Sequence, residues 1–229
     1  MSIILSLETS IPEASVALSI SGEIITQQEF ESHRQQNKLL FPALEKVITR
    51  LPTNSTPDLI IVGTGPGSYS GSRISIAAAQ GLAIAYRCPV VGLNSFLGTT
   101  TMMNNKKAYA IGDARRGSYF IAEMKQGHPE FKSDEPELLP LNDFLRKIQN
   151  IDTTTTPLFS FEKELPILHL AQYCTDKSLA SELIKAWQQL NHEAQQNLLQ
   201  IPPQPAYLRA PFITKAKPGH PLLRNKKNI

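Results

Sequence analysis

The stretch Gly63-Thr-Gly-Pro-Gly-Ser-Tyr-Ser-Gly-Ser-Arg73 decides the fold of this chain. An apolar run, Leu59–Val62, leads into it, and small and apolar residues, Ile74–Tyr86, lead out of it. This order predicts a buried strand, a tight glycine loop and a helix. Glycine permits backbone conformations that other residues avoid, and proline fixes its own φ. We expect four residues to shape the loop: Gly65, Pro66, Gly67 and Gly71.

The glycine loop has two interpretations. It can be a structural turn, or it can aim backbone N–H groups at an anion or a partner, as helix N-termini often do. Ser68 or Ser70 can cap the helix that follows. The loop lacks the Gly-Lys-Ser/Thr of a P-loop and the spacing of a dinucleotide fingerprint. Neither nucleotide motif is therefore predicted, and both broader interpretations stay open.

The first hundred residues predict a mixed α/β unit. Three short apolar segments joined by tight turns indicate an antiparallel meander. A helix with Pro42 inside it, the strand–loop–helix unit and a further buried strand follow. These segments are strands at 3–9, 14–20, 24–30 and 89–93 and a helix at 34–50.

From residue 108 the same plan begins again. Each half opens with a strand, an acidic residue, a tight turn and a returning strand, so Glu8 and Asp113 occupy equivalent places. We therefore predict an internal duplication. The rest of the second half predicts helices at 141–149 and 165–173, a strand at 158–161 and one long helix at 178–200. The predicted division is an N-terminal half, 1–100, an irregular C-terminal half, 101–209, and a basic tail, 210–229.

Composition indicates an ordinary globular protein. The 229 residues are 41% hydrophobic and 19% charged, and no apolar run is long enough to span a bilayer, so we expect no membrane contact. The N-terminus predicts a strand and not a secretory leader. With two cysteines, Cys88 and Cys174, no disulfide framework is implied and we expect a cytoplasmic location.

Charge is unevenly distributed along the chain. The net charge is +3, yet the segment from Arg209 onward carries six basic residues and no acidic one, which leaves the body net negative. This tail has two interpretations. It is a solvated end, or it contacts RNA or an acidic partner electrostatically.

Support for catalysis is thin. None of the five histidines forms a metal-binding pair, and no Gly-x-Ser-x-Gly nucleophile elbow is present. Both cysteines lack a polarising neighbour in sequence, which favours structural roles. Glu8 and Asp113 are the most interesting carboxylates, because strand-end carboxylates facing a cleft can hold a metal. A local turn role and a ligand contact both stay open for them, and we predict no catalytic residue and no metal site.

The two N-terminal helices carry unusual apolar faces. The helix at 71–86 is rich in Gly, Ala and Ser, which allows another helix to approach closely. The helix at 34–50 carries a second apolar strip, Leu39 and Ala43, beside its main one. These faces either pack on the chain's own sheet or bind a partner helix.

Five blocks in order resemble the TsaB (YeaZ) family. The loop and the Ala77-Ala-Ala-Gln-Gly-Leu-Ala83 segment after it are similar to its signature. The other blocks are Leu7-Glu-Thr-Ser10, Gly112-Asp-Ala-Arg-Arg-Gly117 and Pro205-Ala-Tyr-Leu-Arg209. The resemblance implies an α/β, duplicated fold of the actin/sugar-kinase/Hsp70 (ASKHA, ribonuclease H-like) type. It also implies a non-catalytic subunit of the complex that forms threonylcarbamoyladenosine at position 37 of tRNAs reading ANN codons.

The resemblance further implies the partners. The first two helices would bind a catalytic TsaD-like paralogue, or a second copy when that is absent, and a TsaE-like ATPase would join. ATP or ADP and a metal would come through the partners, and tRNA would bind indirectly or through the tail. The implied interface residues are Gln36, Leu39, Leu40, Ala43, Val47, Tyr69, Arg73, Ala77, Ala78, Gln80 and Gly81.

The chain also departs from the family pattern. Gln36-Asn37 stands where His-Ser is usual, and Glu8 replaces the usual aspartate. The TsaD metal motif, His-x-x-x-His, is represented by His33 alone. The alternative function is a metallopeptidase- or kinase-like enzyme of the same fold.

Overall fold

The computed structural model describes residues 2–31, 36–129, 136–166 and 172–209. Its first half is a five-stranded sheet in the order β3-β2-β1-β4-β5. Strands β1, β2 and β3 run antiparallel, whereas β4 and β5 run parallel to β1. The strands are β1 (Ile3–Glu8), β2 (Glu13–Ile20), β3 (Glu23–Glu31), β4 (Leu59–Gly63) and β5 (Val90–Leu93), and the helices are α1 (Gln36–Ile48) and α2 (Tyr69–Tyr86).

The second half repeats this plan strand for strand. Its sheet has the order β10-β9-β6-β7-β8, with one antiparallel meander and two parallel strands. The predicted α/β duplication is therefore confirmed. The strands are β6 (Lys107–Asp113), β7 (Ser118–Lys125), β8 (Glu137–Pro140), β9 (Leu158–Ser160) and β10 (Cys174–Thr175), with α4 (Leu141–Gln149) after β8.

A helical segment from each half packs on the sheet of the other half. After β5, a 3-10 turn (Ser95–Gly98) and α3 (Thr100–Asn104) pack on the second sheet, where Phe96 and Met102 are buried. After β10, α5 (Ala180–Gln189) returns to the first sheet and buries Leu183, Ile184 and Trp187 against it. The core of the first sheet therefore depends on residues from the end of the chain.

The predicted long helix at 178–200 is wrong in one respect. The chain forms two helices, α5 and α6 (His192–Leu199), because Leu190 adopts an extended conformation. The side chain of Asn191 then accepts the N–H of Ala194 at 2.8 Å and caps α6. Apolar spacing continued across the break, so periodicity alone did not reveal it.

Two further predictions concern the second half. The predicted helix at 165–173 falls largely outside the described residues. Cys174, predicted at a helix end, lies on the short strand β10 and is exposed. Of the described helices, none is both long and apolar enough to cross a bilayer.

Candidate functional site

The glycine loop has the predicted strand–loop–helix form. Strand β4 ends at Gly63 and α2 begins at Tyr69. Gly65 takes a φ of 93°, which favours glycine. Ser68 caps α2 by accepting the N–H of Gly71, at 3.2 Å, so the first of the two predicted caps is the one used.

The glycines of the loop pack against the turn between β1 and β2. A Cβ added to Gly67 or Gly71 would lie under 3.0 Å from the carbonyl oxygen of Ser10 or Thr9, respectively. The Ser68 N–H donates to the Ser10 carbonyl at 2.6 Å. The Thr9 hydroxyl donates to the Gly71 carbonyl at 2.7 Å. Close backbone approach is therefore the reason for glycine here.

Polar groups of the loop are also committed inside the molecule. The Gly65 N–H donates to the Ser95 hydroxyl oxygen at 2.9 Å, and the Ser95 N–H donates back to the Gly65 carbonyl at 2.8 Å. The N–H groups of Ser68 and Gly71 are engaged as well, so several N–H groups of the loop are unavailable to a phosphate. The geometry favours the structural interpretation of the loop over anion binding.

Glu8 and Asp113 hold equivalent places but differ in surroundings. Glu8 is fully buried, and its carboxylate accepts the Ser10 N–H at 2.7 Å and the Ser178 hydroxyl at 2.9 Å. Asp113 is half-buried and accepts the Arg115 N–H at 2.6 Å. The Arg115 guanidinium also pairs with it at 3.2 Å. Glu8 therefore stabilises the fold, whereas Asp113 is accessible.

A cavity of about 440 Å³ lies between the two halves, beside Asp113. It is lined from the first half by the glycine loop and the β1–β2 turn, and from the second half by the ends of β6 and β9. Glu162 lines it too and accepts the Asp113 N–H at 2.7 Å. Burial, with a smaller contribution from nearby Asp113, raises the pKa of the Glu162 carboxyl.

The C-terminal segment 205–209 closes one side of this cavity. The Ala206 N–H donates to the Thr64 carbonyl at 2.8 Å. The Tyr207 ring stacks on Tyr69, with centroids 5.4 Å apart. The Arg73 guanidinium donates to the Tyr207 hydroxyl at 2.7 Å and lies 4.0 Å from the Tyr69 centroid. Two predicted interface residues, Tyr69 and Arg73, therefore hold segment 205–209 in place.

Helix α2 has one buried face and one exposed face. The buried face consists of Gly71, Ser72, Ser75, Ile76, Ala79 and Ala83. Predicted interface residue Ala78 is half-buried against the core. Beyond the first turn of the helix, the exposed residues form a surface that we call the α2 outer face: Arg73, Ala77, Gln80, Gly81, Ile84 and Ala85.

The burial of side chains on helix α1 contradicts part of the predicted interface. Leu40, Ala43 and Val47 belong to the core under the first sheet, because they project from the helix toward β2 and α2. They leave no surface for a partner, whereas predicted residue Leu39 is exposed. The side chain of Gln36 lies outside the description.

Sequence reasoning missed two exposed apolar side chains. Phe41 is 59% exposed on α1, and Ile84 is 81% exposed on α2. Each lies off the inward-facing positions of its helix, which is the signal that could have identified it.

The cysteines and the potential metal ligands among the described residues provide no further candidate site. Burial raises the pKa of the half-buried Cys88 thiol, which keeps it protonated. The exposed Cys174 lies 3.2 Å from the Thr101 hydroxyl. Among residues 2–31, 36–129, 136–166 and 172–209, no three His, Cys, Asp or Glu side chains come together as a metal site.

Duplicated mixed sheets around a central cleft define an α/β protein of the actin/sugar-kinase/Hsp70-like class. A family model described as TsaD, tRNA N6-adenosine threonylcarbamoyltransferase, matches residues 20–137, just over half of the chain. Together with the relatives below, this match shows that the chain belongs to the TsaB/YeaZ family.

Named relatives agree with this assignment. The chain is 30% identical over 128 residues to the tRNA threonylcarbamoyladenosine biosynthesis protein TsaB of Escherichia coli (strain K12), covering 54% of this chain and 55% of that protein. The Haemophilus influenzae TsaB is 33% identical over 127 residues, 53% of each chain. These matches span about half the length of the curated relatives. The structure of YeaZ from Pseudomonas aeruginosa superposes with a TM-score of 0.65 at 21% identity, over 91% of this chain and all of that one.

Proposed function

We propose that this chain is a subunit of tRNA threonylcarbamoyladenosine biosynthesis that binds a TsaD-like catalytic partner through the α2 outer face. The single observation that carries the proposal is the composition of that face. Arg73 is its one charged residue, and the others are small, apolar or amide side chains. A helix face that stays in water is normally rich in charged residues.

The α2 outer face suits a helical partner. From Arg73 to Ile84 it runs about 17 Å along the helix axis, at 1.5 Å per residue. A Cβ added to Gly81 would meet nothing within 4 Å, so the space above this glycine is open. Small side chains at Ala77 and Gly81 would let a partner helix pack at the short end of the 8–10 Å range. Ile84 would be the apolar anchor of the contact.

We further propose that the chain contributes no catalytic group of its own. Several N–H groups of the glycine loop are bound within the molecule, and the buried Glu8 carboxylate is held by two donors. The alternative is a metallopeptidase- or kinase-like enzyme. The two proposals are separated by incubating the protein with ATP and zinc or magnesium, because turnover without any partner would contradict the subunit proposal.

The test of the interface is an Ile84→Glu variant. We expect at least about thirtyfold weaker binding to the TsaD-like partner, because a buried apolar anchor is typically worth 2 kcal/mol or more. Formation of threonylcarbamoyladenosine in a reconstituted system should fall with it. Isothermal titration calorimetry measures the binding, and thermal unfolding shows that the variant is folded.

The matched control is Ile25→Glu. Ile25 is also exposed, but it lies on strand β3 and not on α2. This variant should bind the partner like the parent protein. Equal affinity of the parent and the folded Ile84→Glu variant would refute the proposed interface.

Other partners follow from the same proposal. In the absence of TsaD-like protein, the α2 outer face would form a homodimer, which Ile84→Glu should convert to a monomer in analytical ultracentrifugation. A TsaE-like ATPase, with its ATP or ADP and metal, would join the assembled complex. The proposed substrate, tRNA, implies a cytoplasmic location. If the basic tail contacts tRNA directly, deleting residues 210–229 should weaken tRNA binding, and an unchanged affinity would reject that contact.

A further inference from the structure

The cavity between the halves is separate from the α2 outer face and has its own chemistry. At about 440 Å³, its volume falls within the range of sites for small molecules. Residues from both sheets and from segment 205–209 line it, so a ligand bound there would contact three parts of the chain at once.

Three phenylalanine rings are among the side chains that line the cavity. Phe96, Phe120 and Phe161 all line it. Phe96 stacks on Phe120 with centroids 5.8 Å apart and lies 4.8 Å from the centroid of Phe161. Ile11, Ile111 and Leu208 extend the apolar surface. Planar apolar molecules pack favourably against such rings in offset or edge-to-face arrangements.

One N–H donor of an arginine on the cavity wall has no acceptor among the described residues. Arg209 lines the cavity, and its Nε atom is buried without a hydrogen bond to any described residue. A buried donor left without an acceptor destabilises a protein, so an acceptor supplied by a ligand would be favourable. The other cavity arginine, Arg115, already pairs with Asp113.

The remaining groups argue against a polyphosphate. Two carboxyl groups, Asp113 and Glu162, line the same cavity and would repel several negative charges. Burial raises the pKa of the Glu162 carboxyl above its ordinary value. Several N–H groups of the glycine loop, including those of Gly65 and Ser68, are already hydrogen-bonded within the molecule. A ligand with one negative charge therefore fits better than one with three or four.

We infer that this cavity binds a small aromatic monocarboxylate, with its ring among Phe96, Phe120 and Phe161 and its carboxylate on Arg209. The inference does not rest on the proposed role in tRNA modification, because it uses none of the α2 outer face. Segment 205–209 holds Arg209 in position, since Ala206 is hydrogen-bonded to Thr64 and Tyr207 is hydrogen-bonded to Arg73.

The experiment is calorimetric titration of the full-length protein with indole-3-acetate, its neutral analogue indole-3-acetamide, and ATP with magnesium. Indole-3-acetate should bind with a dissociation constant below about 1 mM. The acetamide should bind about tenfold more weakly, because its carbonyl oxygen still accepts from Arg209 but the negative charge that strengthens the hydrogen bond is lost. The acetamide comparison needs no mutant, so it is independent of folding defects.

Variants then test the anchor. Arg209→Ala should weaken indole-3-acetate at least about tenfold, Arg209→Lys should restore part of the affinity, and Arg50→Ala, an exposed arginine after α1, should change nothing. The proposal is overturned if the acid and the acetamide bind equally or not at all. It is also overturned if folded Arg209→Ala binds the acid as the parent does, or if magnesium-ATP displaces the acid and binds more tightly.

Discussion

The turns after Glu8 and Asp113 occupy equivalent places in the two halves but differ in burial. In the first half, the turn after Glu8 is buried under the glycine loop and bonded to it through Thr9 and Ser10. In the second half, the turn after Asp113 is exposed, with Arg115 and Gly117 in left-handed conformations, and Arg115 lines the cavity. Equivalent positions in a duplicated fold can therefore serve stability in one half and leave an accessible surface in the other.

The largest expected effect comes from adding a methyl group to the packed turn. Gly71→Ala should lower the free energy of unfolding by about 3 kcal/mol, because its Cβ would overlap the Thr9 carbonyl. At about 2–4 °C per kcal/mol, Tm should fall by roughly 6–12 °C. Urea unfolding and calorimetry measure both quantities.

Two control glycines sharpen this prediction. Gly117→Ala meets no atom but has a φ of 72°, so it should cost only about 1 kcal/mol. Gly81→Ala, on the same helix as Gly71 and in open space, should stabilise by about 0.5–1 kcal/mol. A Gly71→Ala protein as stable as the parent would show that the first turn is not tightly packed.

The second-largest expected effect is the loss of stability when the Glu8 carboxylate is removed, compared with the loss for Asp113. Glu8→Ala should destabilise by about 2 kcal/mol, because it leaves the buried Ser10 N–H without an acceptor. Asp113→Ala should cost less than about 1 kcal/mol, since it removes a pair that water already screens. Equal losses in chemical denaturation would remove the contrast between the halves.

A third, smaller effect tests how segment 205–209 is held. Tyr207→Ala should destabilise by about 1 kcal/mol through loss of the stack on Tyr69 and the contact with Arg73. Tyr207→Phe keeps the stack and loses only the hydroxyl acceptor, so it should retain most of the stability. Hydrogen exchange of the Ala206 amide reports whether the segment has detached.

The smallest effect is the pH dependence caused by Glu162. Burial raises the pKa of this carboxyl in the folded state above its ordinary value of 4.5, so the folded protein binds its proton more tightly than the unfolded chain. Its contribution to stability is therefore complete below pH 4.5 and is lost as the pH rises through the folded pKa. Glu162→Gln should remove this dependence.

The measurement is the difference in unfolding free energy between the parent and Glu162→Gln at several pH values from 4.5 to 7. Glutamine keeps an oxygen for the Asp113 N–H, so the comparison isolates the charge. A difference that does not change with pH would contradict the raised pKa.

Local patterns in the sequence determined the repeated elements and the glycine loop. Apolar runs, tight turns and a serine cap act within a few residues, so strands β1 to β7, helices α1 and α2 and a cap at Ser68 or Ser70 could be predicted. The same patterns predicted the duplication, because each half repeats its own local order.

Only the tertiary structure decided which side chains are available to bind. The family resemblance implied Leu40, Ala43 and Val47 as interface residues, but they are core residues, since a strand and a second helix cover them. Ile84 is exposed because the sheet lies on the opposite side of α2. The buried Glu8 carboxylate is hydrogen-bonded by Ser178, 170 residues away. The cavity is formed where Arg209 lies beside residues from both halves. Burial is set by contacts between distant segments, and the spacing of residues along one helix or strand does not reveal those contacts.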